Sequence, residues 1–247
     1  MLVETVRFGG HGGDLIEGYL ARPIIAEPTP GVVVIHHAPG LDPWCREVAR
    51  NLAFAGYTTV VPHLYHRRGP GDWADVAAAA RVEGLDKAMP NDQVMGDVAG
   101  AAAYLRTLTN SNGKVGVIGF CSGGRQALLA ACDVPTLDAA VNCWGGSIFP
   151  EVDPYDPEGR RASGVIHRVK DMTVPLLGIF GNDDLNPSVE QVDRLDKVLT
   201  VLDKEHTFHR YDDAGHAFFV TDKPSYRQEQ SVDGWKRIRV FFQDKLY

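Results

Sequence analysis

The feature that most constrains the fold of this chain is the segment 115–125, Val-Gly-Val-Ile-Gly-Phe-Cys-Ser-Gly-Gly-Arg. Its apolar start predicts a short buried strand, and residues 126–130 after it predict a helix. Between the two lies Gly119-x-Cys121-x-Gly123, the cysteine form of a G-x-S-x-G turn. Such a turn holds its central residue in strained backbone geometry. Only glycine fits two positions to either side, where a side chain would collide with a neighbouring element.

The turn by itself allows three interpretations: a buried structural cysteine, a glycine turn that binds phosphate, or a catalytic nucleophile. A dinucleotide-binding turn needs G-x-G-x-x-G, and Cys121 interrupts that pattern at its second glycine. The helix that follows favours a nucleophile, because partial positive charge at a helix N-terminus stabilises a thiolate. Ser122 is not a rival nucleophile, since its flanking positions are Phe120 and Gly124 rather than two glycines.

Composition restricts the class of protein. The 247 residues, 44% of them hydrophobic, suit one α/β domain over 1–247, and a net charge of −7 argues against nucleic acid or an anionic membrane as partner. No apolar run approaches the about 20 residues of a membrane span, and the N-terminus lacks the apolar core of a signal peptide. The cysteines Cys45, Cys121, Cys132 and Cys143 form no C-x-x-C pair, which favours a reduced, cytoplasmic protein.

Predicted strands and helices alternate along the chain. The strands are predicted at 2–8, 15–21, 31–36, 57–61, 115–118, 137–142, 175–180 and 205–211, and the helices at 42–55, 91–106, 126–130, 189–199 and 231–245. This order predicts an α/β protein with a single doubly wound, mostly parallel sheet and helices on both faces. Regions 62–90 and 144–172 are expected to be irregular loops beside the active site.

Three loops that leave predicted strands carry a candidate catalytic set: Cys121, Asp184 and His216. Active residues of an open parallel sheet gather at the carboxyl ends of its strands. The order nucleophile, acid, histidine is that of the α/β-hydrolase triad. Asp183 is the rival acid, but the G-x-x-D spacing from Gly181 favours Asp184.

The triad assigns a role to each group. The Cys121 thiolate would attack an acyl carbon, His216 would return a proton to the leaving group, and Asp184 would orient the imidazole. The backbone N–H of Ser122 and one from the loop near Ala38 would stabilise the oxyanion.

Four segments together resemble the dienelactone hydrolases (carboxymethylenebutenolidases), a Cys-His-Asp branch of the α/β-hydrolases. They are 56–65, Gly119–Gly124, Gly181–Pro187 and Tyr211–Phe219, and the resemblance extends over nearly the whole chain. It implies the α/β-hydrolase fold and hydrolysis of an enol-lactone or a similar activated ester through a thioester intermediate. It also implies no cofactor and usually a monomer. For this chain we expect no bound metal and a monomer or small homo-oligomer.

Two positions depart from the pattern of the family. The namesake enzyme carries a glutamate after the first buried strand, where this chain has His37, and an arginine shortly after the catalytic histidine, near Val220 here. We therefore expect the Cys121 thiol to be more reactive, as a resting ion pair with His216. If the substrate is anionic, Arg67, Arg68 or Arg125 would replace the missing arginine.

Two other classes of function remain open from the sequence. His36, His37, His63 and His66 could hold a metal ion in a metallohydrolase, although adjacent residues at a strand end point to opposite sides. The same fold could also serve as a non-catalytic binder of small molecules or as a thiol sensor. Hydrolysis and acyl transfer to another acceptor are not distinguished by the sequence.

Overall fold

A computed structural model of the protein describes residues 1–150 and 164–247. Within them, eight strands form one sheet in the order β1-β2-β4-β3-β5-β6-β7-β8. The strands are β1 (Leu2–Gly9), β2 (Leu15–Arg22), β3 (Thr29–Ile35), β4 (Thr58–Pro62), β5 (Ser111–Phe120), β6 (Ala139–Cys143), β7 (Leu176–Gly181) and β8 (His206–Tyr211). Strands β3 to β8 are parallel, and β1 and β2 pair antiparallel at one edge. The predicted fold is confirmed.

Helices cover both faces of the sheet. They are α1 (Pro43–Phe54), α2 (Trp73–Glu83), α3 (Leu85–Ala88), α4 (Asn91–Thr107), α5 (Ser122–Asp133), α6 (Val189–Val201) and α7 (Gln228–Leu246). Apolar residues of α1 and α7 pack on one face, and those of α4, α5 and α6 pack on the other. None of the helices among the described residues is both long and apolar enough to cross a bilayer.

The region 62–90 is helical over much of its length, which differs from the expectation of an irregular loop. Asp72 begins α2 by accepting a hydrogen bond from the backbone N–H of Ala74 at 2.9 Å. The alanine-rich sequence that follows has a high helix propensity and buries Val76, Ala77 and Ala80. Of the second expected loop, residues 151–163 lie outside the described part of the chain, and Ile166–Asp171 form a short 3₁₀ helix.

Arg67 anchors the loop after β4 to a buried carboxylate. Its guanidinium donates to both carboxylate oxygens of Asp97, at 2.7 and 2.9 Å, and to Asp14 at 2.7 Å. Asp97 is fully buried and also accepts from the backbone N–H of His11 at 2.8 Å. These bonds join α4, the β1–β2 turn and the loop after β4, so Arg67 has a structural role instead of the anion-binding role considered for it.

We expect Arg67→Met to lower the free energy of unfolding by about 3–5 kcal/mol, because it leaves the Asp97 carboxylate buried without its cation. Urea denaturation measures the change. The matched control is Arg7→Met, which removes an ion pair with Glu17 whose side chains are 65% and 48% exposed. It should cost no more than about 1 kcal/mol. Equal losses in the two variants would contradict the structural role of Arg67.

Candidate active site

Cys121 lies in a strained turn between β5 and α5. Its backbone has φ 56° and ψ −121°, a combination that non-glycine residues rarely adopt. A Cβ atom on Gly119 would lie 1.9 Å from the carbonyl oxygen of Gly123. One on Gly123 would lie 2.3 Å from the carbonyl oxygen of Ile35. The two glycines are therefore required by close backbone contacts, and the turn has the geometry predicted from its spacing.

We expect Gly119→Ala to abolish the folded state or to destabilise it by more than about 4 kcal/mol, since rigid backbone occupies the space that a Cβ needs. Soluble yield and thermal unfolding measure this effect. Gly9→Ala is the matched control on another strand, because nothing lies within 4 Å of a Cβ built there. If both variants fold equally well, the close approach does not constrain the turn.

The acid and the histidine come from the loops after β7 and β8. His216 Nδ1 lies 2.8 Å from Asp184 Oδ2, and this hydrogen bond joins the two loops. The Asp184 side chain is only 1% exposed, whereas the neighbouring Asp183 is exposed. The other carboxylate oxygen of Asp184 accepts from the backbone N–H of Asn186 at 3.0 Å. The structure thus pairs the histidine with Asp184 and not with the rival acid.

His216 also forms a hydrogen bond with the Cys121 side chain, so that the three predicted groups form one chain of contacts. Burial by itself would lower the pKa of His216. The hydrogen bonds to Asp184 and Cys121, together with the negative charges of both, outweigh burial and raise that pKa to about 10. At neutral pH the site can therefore hold an imidazolium beside a thiolate.

Asn186 links the acid loop to the strained segment Trp144–Ser147. Its Oδ1 accepts from the backbone N–H of Ser147 at 2.9 Å, and its Nδ2 donates to Ser147 Oγ at 3.2 Å. Trp144 and Ser147 have positive φ angles of 41° and 52°. Asn186, which is 2% exposed, therefore holds one wall of the site in place. Sequence reasoning missed this role, although Asn186 lies two residues after Asp184.

A cavity of about 30 Å³ lies beside Cys121 and His216. This volume is room for about two water molecules. The cavity is also partly open to solvent, so a bound ester would extend past its wall. Leu85 and Met89 form the apolar part of that wall, and methionine is the most adaptable apolar side chain. The polar part includes Ser122, Arg125, Gln126, Ser147 and Asn186.

Arg125 is the predicted anion partner that borders this cavity. It is 6% exposed, and it donates from Nε to the carbonyl oxygen of Ser147 at 3.2 Å and from Nη1 to Asn91 Oδ1 at 2.9 Å. These two bonds help to hold the guanidinium at the edge of the cavity. Asn91 has no catalytic spacing in the sequence, and only the fold brings it to α5.

The loop after β3 contains His37, which replaces the family's glutamate, and Ala38, near which an oxyanion donor is predicted. The His37 side chain is 5% exposed, and its Nε2 lies 2.7 Å from Asp42 Oδ2. It packs against Trp44 and is not among the residues that border the cavity in the described part of the chain. Tyr65 Oη donates to the Ala38 carbonyl at 3.0 Å and anchors this loop.

Two of the four histidines considered as metal ligands, His36 and His37, form hydrogen bonds with other groups of the protein. His36 is fully buried, which lowers its pKa to about 3, and its Nδ1 donates to the His37 carbonyl oxygen at 2.9 Å. His37, Asp42 and Cys45 have ligand atoms within 4.8 Å of one another. However, Asp42 is already bonded to His37 and begins α1 by accepting from the backbone N–H of Cys45, and burial raises the pKa of the Cys45 thiol. These contacts give the group a structural role.

The sheet order, the strained turn at Cys121 and the pairing of Asp184 with His216 are those of an α/β-hydrolase fold. The chain belongs to the dienelactone hydrolase family, whose model matches residues 16–246. Membership and fold support an enzyme that hydrolyses esters or lactones.

Proteins similar to this one match it over most of its length. A protein of Escherichia coli K12, provisionally named a carboxymethylenebutenolidase, is 32% identical over 93% of this chain and 83% of its own length. A Bradyrhizobium protein, provisionally named a 2-oxo-3-(5-oxofuran-2-ylidene)propanoate lactonase, is 25% identical over 98% of this chain and 96% of its own. The crystal structure of a provisionally assigned dienelactone hydrolase from Klebsiella pneumoniae superposes with a TM-score of 0.81 at 26% identity, covering 98% and 99% of the two chains.

Proposed function

We propose that this protein hydrolyses small carboxylic esters or lactones with Cys121 as nucleophile, through a thioester acyl-enzyme. The observation that carries the proposal is the contact chain from Cys121 through His216 to Asp184 at the carboxyl edge of the sheet. The lactonase name of the Bradyrhizobium relative supports a lactone as one class of substrate.

The first half-reaction uses the resting ion pair. The Cys121 thiolate attacks the carbonyl carbon, and the electron pair of the C=O bond moves to oxygen. The backbone N–H of Ser122, with one from the loop at Ala38, would donate to that oxyanion. The intermediate then collapses, the C–O bond to the alcohol breaks, and the His216 imidazolium gives its proton to the departing oxygen.

The second half-reaction reverses the role of His216. Acylation removes the thiolate, and with it two of the interactions that raise the pKa of the imidazole. The now neutral His216 takes a proton from water, which attacks the thioester carbon. Loss of the Cys121 thiolate releases the acid and restores the ion pair, so that one ester and one water give one acid and one alcohol.

The substrate would carry a small acyl group, which would lie beside Cys121 and His216. An anionic group on that substrate would lie near Arg125, which borders the same cavity. All four cysteines are free thiols, from which we infer a reducing compartment such as the cytoplasm.

The pH dependence of alkylation tests the proposed ion pair. With His216 protonated up to a pKa of about 10, Cys121 should react with iodoacetamide at a nearly constant rate between about pH 6 and pH 9. His216→Gln is the matched variant, and its rate should rise with the ordinary thiol pKa of about 8.5. The same rise in the unaltered protein would contradict a resting thiolate–imidazolium pair.

A further inference from the structure

One face of α5 presents polar groups to the cavity that the proposed reaction does not use. Ser122 and Gln126 are four residues apart on this helix and therefore lie on the same side of it. Both border the cavity that Cys121 and His216 also line. Ser122 Oγ and Gln126 Oε1 are buried, and neither atom has a hydrogen-bond partner among residues 1–150 and 164–247.

The orientation of the Gln126 amide follows from its neighbours. An arginine can only donate, so the bond from Arg125 Nη1 identifies the Asn91 atom that it contacts as the oxygen. The Gln126 atom 3.1 Å from that same oxygen must then be the amide nitrogen. Gln126 Oε1 is left as a pure acceptor, and a 5% exposed side chain has little access to bulk water in its place.

We propose that Gln126 and Ser122 form a polar subsite that selects esters or lactones carrying a hydroxyl group close to the scissile carbonyl; this rests on the proposed function. A hydroxyl can donate to Gln126 Oε1 and accept from the Ser122 hydroxyl at the same time. An apolar acyl group leaves both atoms unpaired, and sites of this kind strongly reject substrates that lack the matching group.

A carboxylate does not satisfy the same pair of atoms. It has no proton to donate to Gln126 Oε1, so it would leave that acceptor unpaired. The subsite therefore recognises a neutral hydroxyl.

Two matched esters test the subsite: 4-nitrophenyl butyrate and 4-nitrophenyl 3-hydroxybutyrate. The unaltered protein should prefer the hydroxylated ester in kcat/KM by about tenfold or more. Gln126→Leu should remove most of that preference, and Ser122→Ala, which keeps the backbone N–H, should remove part of it. Gln243→Leu, at an exposed glutamine on α7, is the control and should leave the preference unchanged.

Equal ratios in the unaltered protein and Gln126→Leu, or no preference in either, would overturn the subsite. NMR titration of the same proteins with 3-hydroxybutyrate and with butyrate measures the preference for the hydroxyl group as a ratio of affinities, without turnover. If neither ester is hydrolysed, the proposed function fails. In that case the affinities for the two acids decide the subsite. It is overturned if the ratio of the affinity for 3-hydroxybutyrate to that for butyrate is the same in the unaltered protein and in Gln126→Leu.

Discussion

Cys121→Ala is expected to lower kcat/KM for ester hydrolysis by at least about 10⁴-fold, the largest effect of any single substitution in this protein. The loss follows because alanine cannot form the thioester and leaves only the oxyanion donors and binding contacts. Turnover of 4-nitrophenyl acetate measures it. A circular-dichroism spectrum and an unfolding midpoint close to those of the unaltered protein show that the fold is retained.

Cys132→Ala is the matched control for this variant. Cys132 lies near the other end of α5, where burial raises the pKa of its thiol to about 12 and Sγ donates to the Leu128 carbonyl oxygen. It should remain a neutral core residue, so its loss should change kcat/KM less than about twofold. Residual activity in Cys121→Ala comparable with that of Cys132→Ala would contradict nucleophilic catalysis.

Asp184→Asn is expected to lower kcat/KM by about 10³- to 10⁴-fold while leaving the fold intact. An amide in place of the carboxylate removes a charge and a hydrogen bond that raise the pKa of His216. The pKa of His216 should therefore fall below its value of about 10, and the imidazole is no longer held in one tautomer. Steady-state kinetics and an NMR titration of the imidazole measure the two effects.

Asp183→Asn provides the control, since this carboxylate is adjacent in sequence but exposed, and His216 Nδ1 pairs with Asp184. Its activity should stay within about twofold of the unaltered protein. The assignment of the acid is contradicted if Asp183→Asn is the more damaging substitution, or if the His216 titration is the same in both variants.

The parts of the molecule that the sequence predicted are those fixed by local chemistry. The G-x-C-x-G spacing identifies the turn because the two glycines meet backbone atoms, a constraint that any chain with this geometry shares. Asp42 and Pro43 begin α1 as predicted, with the carboxylate accepting from the backbone N–H of Cys45. The chain order of Cys121, Asp184 and His216 also indicated which loops meet, because parallel strands end at one edge.

The parts that the sequence left open depend on contacts between distant residues. The His37 side chain contacts Asp42 and is not among the described residues that line the cavity. Asn91 reaches Arg125 and Gln126 only because α4 packs beside α5, and no spacing in the chain indicates this. Helix α2 was missed because weakly apolar, alanine-rich sequence has little periodicity, although it buries one face.

Intact-mass spectrometry of the acyl-enzyme tests directly whether Cys121 is the nucleophile and forms a thioester. The protein is mixed with excess 4-nitrophenyl acetate, quenched in acid within seconds, and digested to locate the modification. We expect a mass increase of one acetyl group on Cys121, bound as a hydroxylamine-sensitive thioester, and no such increase in Cys121→Ala. Rapid turnover with the acyl group on another residue, or with no thioester under any quench time, would contradict that role of Cys121.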